Sequence, residues 1–145
     1  MYDSKNVRRA LTNATKVSVL AAAVLSSATA CKRAPRPDPL TVGQLAALLE
    51  SHNPPRIYDA NGSRTRGQYG VIPGATLLPS SHDYSLGLLP DSKKTPLVFY
   101  CASTWCGAAE TAADRALRAG YSLVSVLPAG IKGWAEAGMP TQKLN

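Results

Sequence analysis

The sequence predicts an α/β fold: one domain with a mostly parallel central sheet and helices on both faces. Three observations carry this. "PLVFYC" (Pro96–Cys101) is β-branched, aromatic and apolar at every position, the pattern of a parallel strand covered on both sides. Short strand-like runs alternate with helical patterns at a spacing that suits βαβ units. The helical segment after Cys101 is rich in alanine, which lets a helix lie close against a sheet.

Taken in order, Thr41 with Gln44 three residues on forms a capping box. Val42, Leu45, Ala46 and Leu49 then share one helical face. "RIYDA" (Arg56–Ala60) follows two prolines and reads as a strand, and "ATLLP" (Ala75–Pro79) reads as a second, introduced by the Pro73-Gly74 turn. Pro96–Cys101 is the third and strongest strand. Gly107–Ala119 reads as a helix with Ala109, Ala112, Ala113, Ala116 and Leu117 turned inward, and Gly120 is a natural stop. "LVSVL" (Leu123–Leu127) is the fourth strand, and "GIKGWAEAG" (Gly130–Gly138) is a last short helix with Trp134 as a core residue. No internal repeat is visible.

The chain divides at about residue 40. Lys5, Arg8, Arg9 and Lys16 precede an apolar run, Val17–Leu25, broken only by Ser18. Ala28-Thr29-Ala30 supplies the small residues of a signal-peptidase site. The run falls short of the roughly 20 apolar residues needed to span a membrane. Residues 1–30 are therefore read as a signal peptide, and Arg8-Arg9 leaves the twin-arginine route open. "SSATAC" resembles a bacterial lipobox, with Ala28 where Leu is usual, so Cys31 is expected to be lipidated and to start the mature chain. The competing reading is plain cleavage that leaves Cys31 a free thiol, a liability in an oxidising compartment. Residues 31–40 form a lipidated cysteine and a proline-rich tether, and residues 41–145 form the domain. These features place the protein in the bacterial cell envelope, facing the periplasm and anchored to the membrane as a lipoprotein.

Charge excludes one class. The net charge is +7, but the first thirty residues hold four basic residues against the single acid Asp3, and removing their +3 leaves +4 on residues 31–145. Lys32, Arg33 and Arg36 sit in the tether, so the domain is nearly neutral. It has no basic stripe with interleaved aromatics, which argues against nucleic acid as a partner. His52 and His82 lie far apart with no Cys-x2-Cys, which argues against a metal site. No cofactor is expected.

In open α/β sheets, ligands bind beyond the carboxyl ends of the strands. Cys101 sits there, just before a helix whose N-terminal dipole favours a thiolate, the nucleophilic form. Cys101 is therefore expected to be the more reactive of the two loop thiols. Cys106, at the other end of the loop, is expected to act as a resolving partner; the alternative is an inert helix-start residue. Asp59 is read as ordering the adjacent loop by hydrogen bonds, with a catalytic role as the alternative. Arg64 and Arg66 are read as a solvated face and His52 as surface. Of the two histidines, only His82 is a candidate to act near a substrate, and it is read as having no such role. Trp105 sits exposed at the loop tip, as an apolar wall or a docking contact.

Three stretches resemble signatures of the single-domain rhodanese, or sulfurtransferase, family over nearly all of 41–141. "IYDANGSRTRGQYGVIPGATLLP" is similar to its first signature, with Asp59 and Ile72-Pro73-Gly74-Ala75 in place. "VFYCAS" is similar to the active-site strand and loop, and "AGYSLVSVLPAGIKGWAEAGMP" to the closing signature, with Gly130, Gly133 and Trp134. The resemblance implies that Cys101 carries sulfane sulfur as a persulfide. It also implies that Ala102, Ser103, Thr104, Trp105 and Cys106, with Gly107, supply a cradle of backbone N–H groups. The partners would be a small sulfur-containing donor or a thiol acceptor.

The departures are informative. Many family members carry Arg in or at the end of the loop, whereas "ASTWCG" has no basic residue, so an anionic donor such as thiosulfate meets only backbone dipoles. Related phosphatases and arsenate reductases need Arg after Cys-x5 to bind the oxyanion; Gly107 stands there, which argues against phosphoryl chemistry. Two other classes stay open: a dithiol/disulfide redox protein using Cys101 and Cys106, and a catalytically silent rhodanese-like binding module.

Cys31→Ser is expected to release the domain in soluble form, read by membrane fractionation. A wild-type protein that is soluble and begins with an unmodified Cys31 would contradict the lipoprotein assignment.

Overall fold

The computed structural model describes residues 35–144; the leader, Cys31 and the first part of the tether lie outside the described residues. Five strands form one parallel sheet: β1 (Asp38–Pro39), β2 (Arg56–Asp59), β3 (Thr76–Leu77), β4 (Leu97–Tyr100) and β5 (Val124–Leu127), in the order β1-β5-β4-β2-β3. The helices are α1 (Val42–Leu49), α2 (Ser63–Tyr69), α3 (Ala108–Arg118) and α4 (Gly130–Glu136), with a 3-10 turn at Leu86–Leu88. The α/β architecture expected from the sequence is the one observed. Among the described residues, no helix is long and apolar enough to cross a membrane.

Strand β4 is buried at all four positions and lies between β2 and β5, with Tyr100 in register with Asp59 and Leu127. Its alternation feeds two cores. Leu97 and Phe99 join Tyr58, Val124 and Val126 beneath the alanines of α3. Val98 and Tyr100 join Ile57 and Leu127 beneath Leu45 of α1 and Ile131 and Trp134 of α4. In α3, Ala109, Ala112, Ala113 and Ala116 are buried and Leu117 partly so, and Gly120 follows at φ +92°. The Thr41–Gln44 capping box starts α1, with the Gln44 N–H donating to Thr41 Oγ1 at 3.2 Å and the Thr41 N–H to Gln44 Oε1 at 2.8 Å.

Three features depart from the sequence reading. The end of the tether is part of the sheet: Asp38 and Pro39 pair with Ser125 and Val126, and the Leu40 N–H donates to the Val126 carbonyl. An edge strand tolerates the missing proline N–H. Helix α2 was not expected, because "SRTRGQY" has no apolar stripe. Arg66, in that helix, is not part of a solvated face. Its side chain is 13% exposed, its Nε donates to Asp59 Oδ1 at 3.2 Å, and its Nη2 donates to the carbonyls of Asp59 and Leu78 at 3.0 and 2.9 Å.

Asp59 is fully buried and is the hub of this region. Its Oδ1 also accepts from the Asn61 N–H at 2.6 Å, and its Oδ2 accepts from the Tyr100 hydroxyl at 2.7 Å. The same hydroxyl accepts from the Ile72 N–H at 3.0 Å. Burial and the Asp59 carboxylate together hold the Tyr100 hydroxyl firmly protonated. One carboxylate thus ties β2, β4 and α2 together at the strand ends.

On the same side, the start of α4 docks on the chain leaving β4. The Ile131 N–H donates to the Cys101 carbonyl at 2.8 Å and the Lys132 N–H to the Ala102 carbonyl at 3.1 Å. Gly130 has φ +61°, and a Cβ on it would lie 2.5 Å from the Ala102 carbonyl carbon and 2.6 Å from the carbonyl oxygens of Cys101 and Ala102. Only glycine permits both the approach and the dihedral.

Two outcomes are expected from this packing, each read by thermal or denaturant unfolding. Asp59→Ala leaves Arg66 without its counter-ion in a mostly buried position and should cost about 3–5 kcal/mol. Gly130→Ala combines a strained dihedral with a backbone clash and should cost about 2–5 kcal/mol. Unchanged stability in either variant would contradict the packing described.

Candidate active site

The chain leaves β4 at Tyr100 and curls through Cys101–Gly107 into α3. The Cys106 N–H closes a turn on the Ser103 carbonyl at 2.9 Å. The Gly107 carbonyl accepts from the Thr111 N–H at 3.1 Å and from the Thr111 hydroxyl at 2.8 Å. The curl is held below by α4 and on its far side by the first turn of α3. It stands at the carboxyl ends of the strands, where ligands bind in such sheets.

Cys101 lies at the floor of the curl, 2% exposed, in the core cluster beneath α3. Cys106 is half-buried and packs against the same cluster, and both are free thiols. The Cys101 thiol donates to the Cys106 backbone carbonyl at 2.7 Å. Burial pushes the Cys101 thiol up to about 12, and a hydrogen bond with the Cys106 side chain pushes the same way; the N–H groups of Ala109 and Ala102 pull it down by less. The sequence-based expectation of a ready thiolate therefore does not hold in this conformation. The helix-start donors are present, but desolvation outweighs them.

The remaining candidates are placed as follows. Ala102 and Ser103 are half-buried, Thr104 and Gly107 are exposed, and Trp105 is 97% exposed at the tip. Asp59 orders its neighbouring loop, as the hydrogen bond from Asn61 shows, and shares the Tyr100 face of the sheet rather than the Cys101 face. Among the described residues, the Asn61 Nδ2 is the buried side-chain atom left without a hydrogen-bond partner. His52 and His82 are exposed, and the His82 Nδ1 pairs with the neighbouring Ser81 hydroxyl at 3.0 Å. Among the described residues, no group of three or more His, Cys, Asp or Glu could hold a metal ion. Sequence reasoning missed the role of Gly130; its place in the closing signature was visible, but the contact it permits is not local.

Residues 41–137 match the family described as the rhodanese-like domain. A thiosulfate sulfurtransferase from Pseudomonas aeruginosa is 25% identical, with a TM-score of 0.58; the match covers 77% of this chain and 20% of that one. A single-domain sulfurtransferase from Saccharomyces cerevisiae is 21% identical over 73% of this chain and 94% of its own, with a TM-score of 0.55. A Rhodopseudomonas palustris protein of unknown function, described as a possible tyrosine phosphatase, is 24% identical over 73% of this chain and 85% of its own, with a TM-score of 0.60. The last two likenesses bear on the fold alone. No curated protein matches the chain. With the match spanning most of the folded part and Cys101 at the head of its loop, the chain belongs to the rhodanese-like domain family.

Proposed function

We propose that the protein is a sulfurtransferase that carries sulfane sulfur on Cys101. One observation carries the reading: Cys101 directly follows the central strand, at the floor of the curl that leads into α3 and at the carboxyl end of the sheet, where the Ala102 and Ala109 N–H groups favour its anion against the cost of burial. The Cys101 thiolate attacks the outer sulfur of a donor R–S–SH. The donor S–S bond breaks, R–S⁻ leaves, and Cys101–S–SH forms. An acceptor thiolate then takes the outer sulfur and returns Cys101 as a thiolate. This is covalent catalysis through an activated nucleophile.

The charges around the loop point to the donor class. Residues 101–107 carry no cation. Arg66 is committed to Asp59, and the Lys132 ammonium, the cation nearest in sequence to the docking contact, stands 5.3 Å from the Tyr69 ring centroid. An organic persulfide therefore suits the site better than dianionic thiosulfate. Gly107, in place of an oxyanion-binding Arg, argues against phosphoryl transfer. The leader and Cys31 support a place in the cell envelope, held to the membrane by lipid.

A second thiol step is supported by the packing of Cys106 on the cluster that holds Cys101. Cys106 attacks the inner sulfur of Cys101–S–SH. A Cys101–Cys106 disulfide forms, the outer sulfur leaves as hydrogen sulfide, and a thiol reductant of the envelope reopens the pair.

The test is mass spectrometry of reduced protein after exposure to glutathione persulfide. Wild type should gain sulfur at Cys101, Cys101→Ser should lose at least about a thousandfold in transfer rate, and Cys106→Ser should hold its persulfide longer than wild type. Sulfur carried by Cys106 alone, or a fully active Cys101→Ser, would overturn the assignment. Equal persulfide lifetimes in wild type and Cys106→Ser would overturn the resolving step.

A further inference from the structure

The Cys101 sulfur faces two kinds of backbone group. The N–H groups of Ala102 and Ala109 suit an anion. The Cys106 carbonyl, 2.7 Å away, suits only a neutral thiol that has a proton to donate. Once the sulfur ionises or carries a persulfide anion, that oxygen sets lone pairs against negative charge. The conformation observed is thus that of the unreacted thiol, and one group must move before Cys101 can act.

The peptide that carries this carbonyl also carries the Gly107 N–H on its opposite edge, and a peptide plane turns as a unit. The neighbouring atoms are pinned. The Cys106 N–H is held by the Ser103 carbonyl, and the Gly107 carbonyl is held twice by Thr111. Only the plane between them is left to turn. A half-turn is absorbed by ψ of Cys106 and φ of Gly107. It takes Gly107 from its observed φ of −76° to roughly +100°, where a side chain is strained and glycine is not. The observed loop gives no other reason for glycine at this position. Its dihedral suits any residue, and an added Cβ would meet nothing within 4 Å.

We infer that Gly107 is a positioning residue: the Cys106–Gly107 peptide flips when Cys101 ionises or takes sulfur, replacing the Cys106 carbonyl with the Gly107 N–H beside the sulfur. The inference rests on Cys101 being the nucleophile proposed above. It adds a device that keeps the thiol protonated and buried until the flip supplies a further donor.

The experiment compares wild type, Gly107→Ala and Gly107→Asn as full-length reduced protein. Alkylation of Cys101 by iodoacetamide is followed across pH by peptide mass spectrometry, with thermal unfolding alongside. Gly107→Ala should stay folded, because the observed loop accepts it. Its alkylation midpoint should rise by at least one pH unit, and its rate near neutral pH should fall at least about tenfold. Asn, the side chain most tolerant of positive φ, should lie between Gly and Ala. Identical pH profiles for wild type and Gly107→Ala would overturn the flip and leave rotation of the Cys101 side chain as the route away from the carbonyl. An Asn variant no faster than Ala would also overturn it. Alkylation needs no sulfur donor, so a wild type that reacts as expected yet never takes sulfane sulfur would defeat the sulfurtransferase reading and leave the flip standing.

Discussion

The buried carboxylate of Asp59 is the joint on which the carboxyl end of the sheet depends. Fully buried, it gathers donors from three directions: the Tyr100 hydroxyl on β4, the Arg66 guanidinium on α2 and the Asn61 N–H on its own loop. Burying a charge costs several kcal/mol unless such partners are supplied, and removing one partner leaves that cost exposed. Arg66 passes the constraint on by donating to the Leu78 carbonyl just beyond β3. The residue after Tyr100 is Cys101. The network therefore fixes the point at which the central strand ends and the Cys101–Gly107 curl begins, without placing a charge on the Cys101 face of the sheet.

A second constraint acts on the same side of the sheet. The first N–H groups of α4 would be orphans in an isolated helix. Here two of them, on Ile131 and Lys132, donate to the Cys101 and Ala102 carbonyls of the loop. Gly130 makes the approach possible, and the price is a position where no other residue fits. With the carbonyls of the first two loop residues turned down onto α4, the N–H of Ala102 is free to serve the sulfur. The Cys106 carbonyl accepts from the thiol at 2.7 Å.

Much of this was legible in the sequence. "PLVFYC" announced a strand covered on both faces, the alanine spacing of α3 gave its inward stripe, and Thr41 with Gln44 marked the start of α1. The order of three signatures pointed to the family. What escaped had no local signal. Helix α2 is held through a buried arginine rather than an apolar face, so periodicity could not find it. Strand β1 exists because β5 offers a free edge, and its own prolines read as a spacer. The protonation of Cys101 follows first from its burial and then from its contact with Cys106, which no residue pattern encodes. The helix start can be read from the residues, but the depth of burial that outweighs its dipole becomes visible only when α3 is packed on the sheet.

The central claim is that the Cys101 curl carries sulfur. Mass spectrometry of the native protein, isolated from its own cells without reductant and digested so that Cys101 and Cys106 are read together, tests it most directly. The expected result is a fraction of chains with one extra sulfur on Cys101, or with Cys101 and Cys106 joined as the product of its release, both returning to free thiols on mild reduction. A pair of unmodified thiols in every preparation, or a disulfide that resists reduction and never gives way to a persulfide when donor is added, would contradict the account.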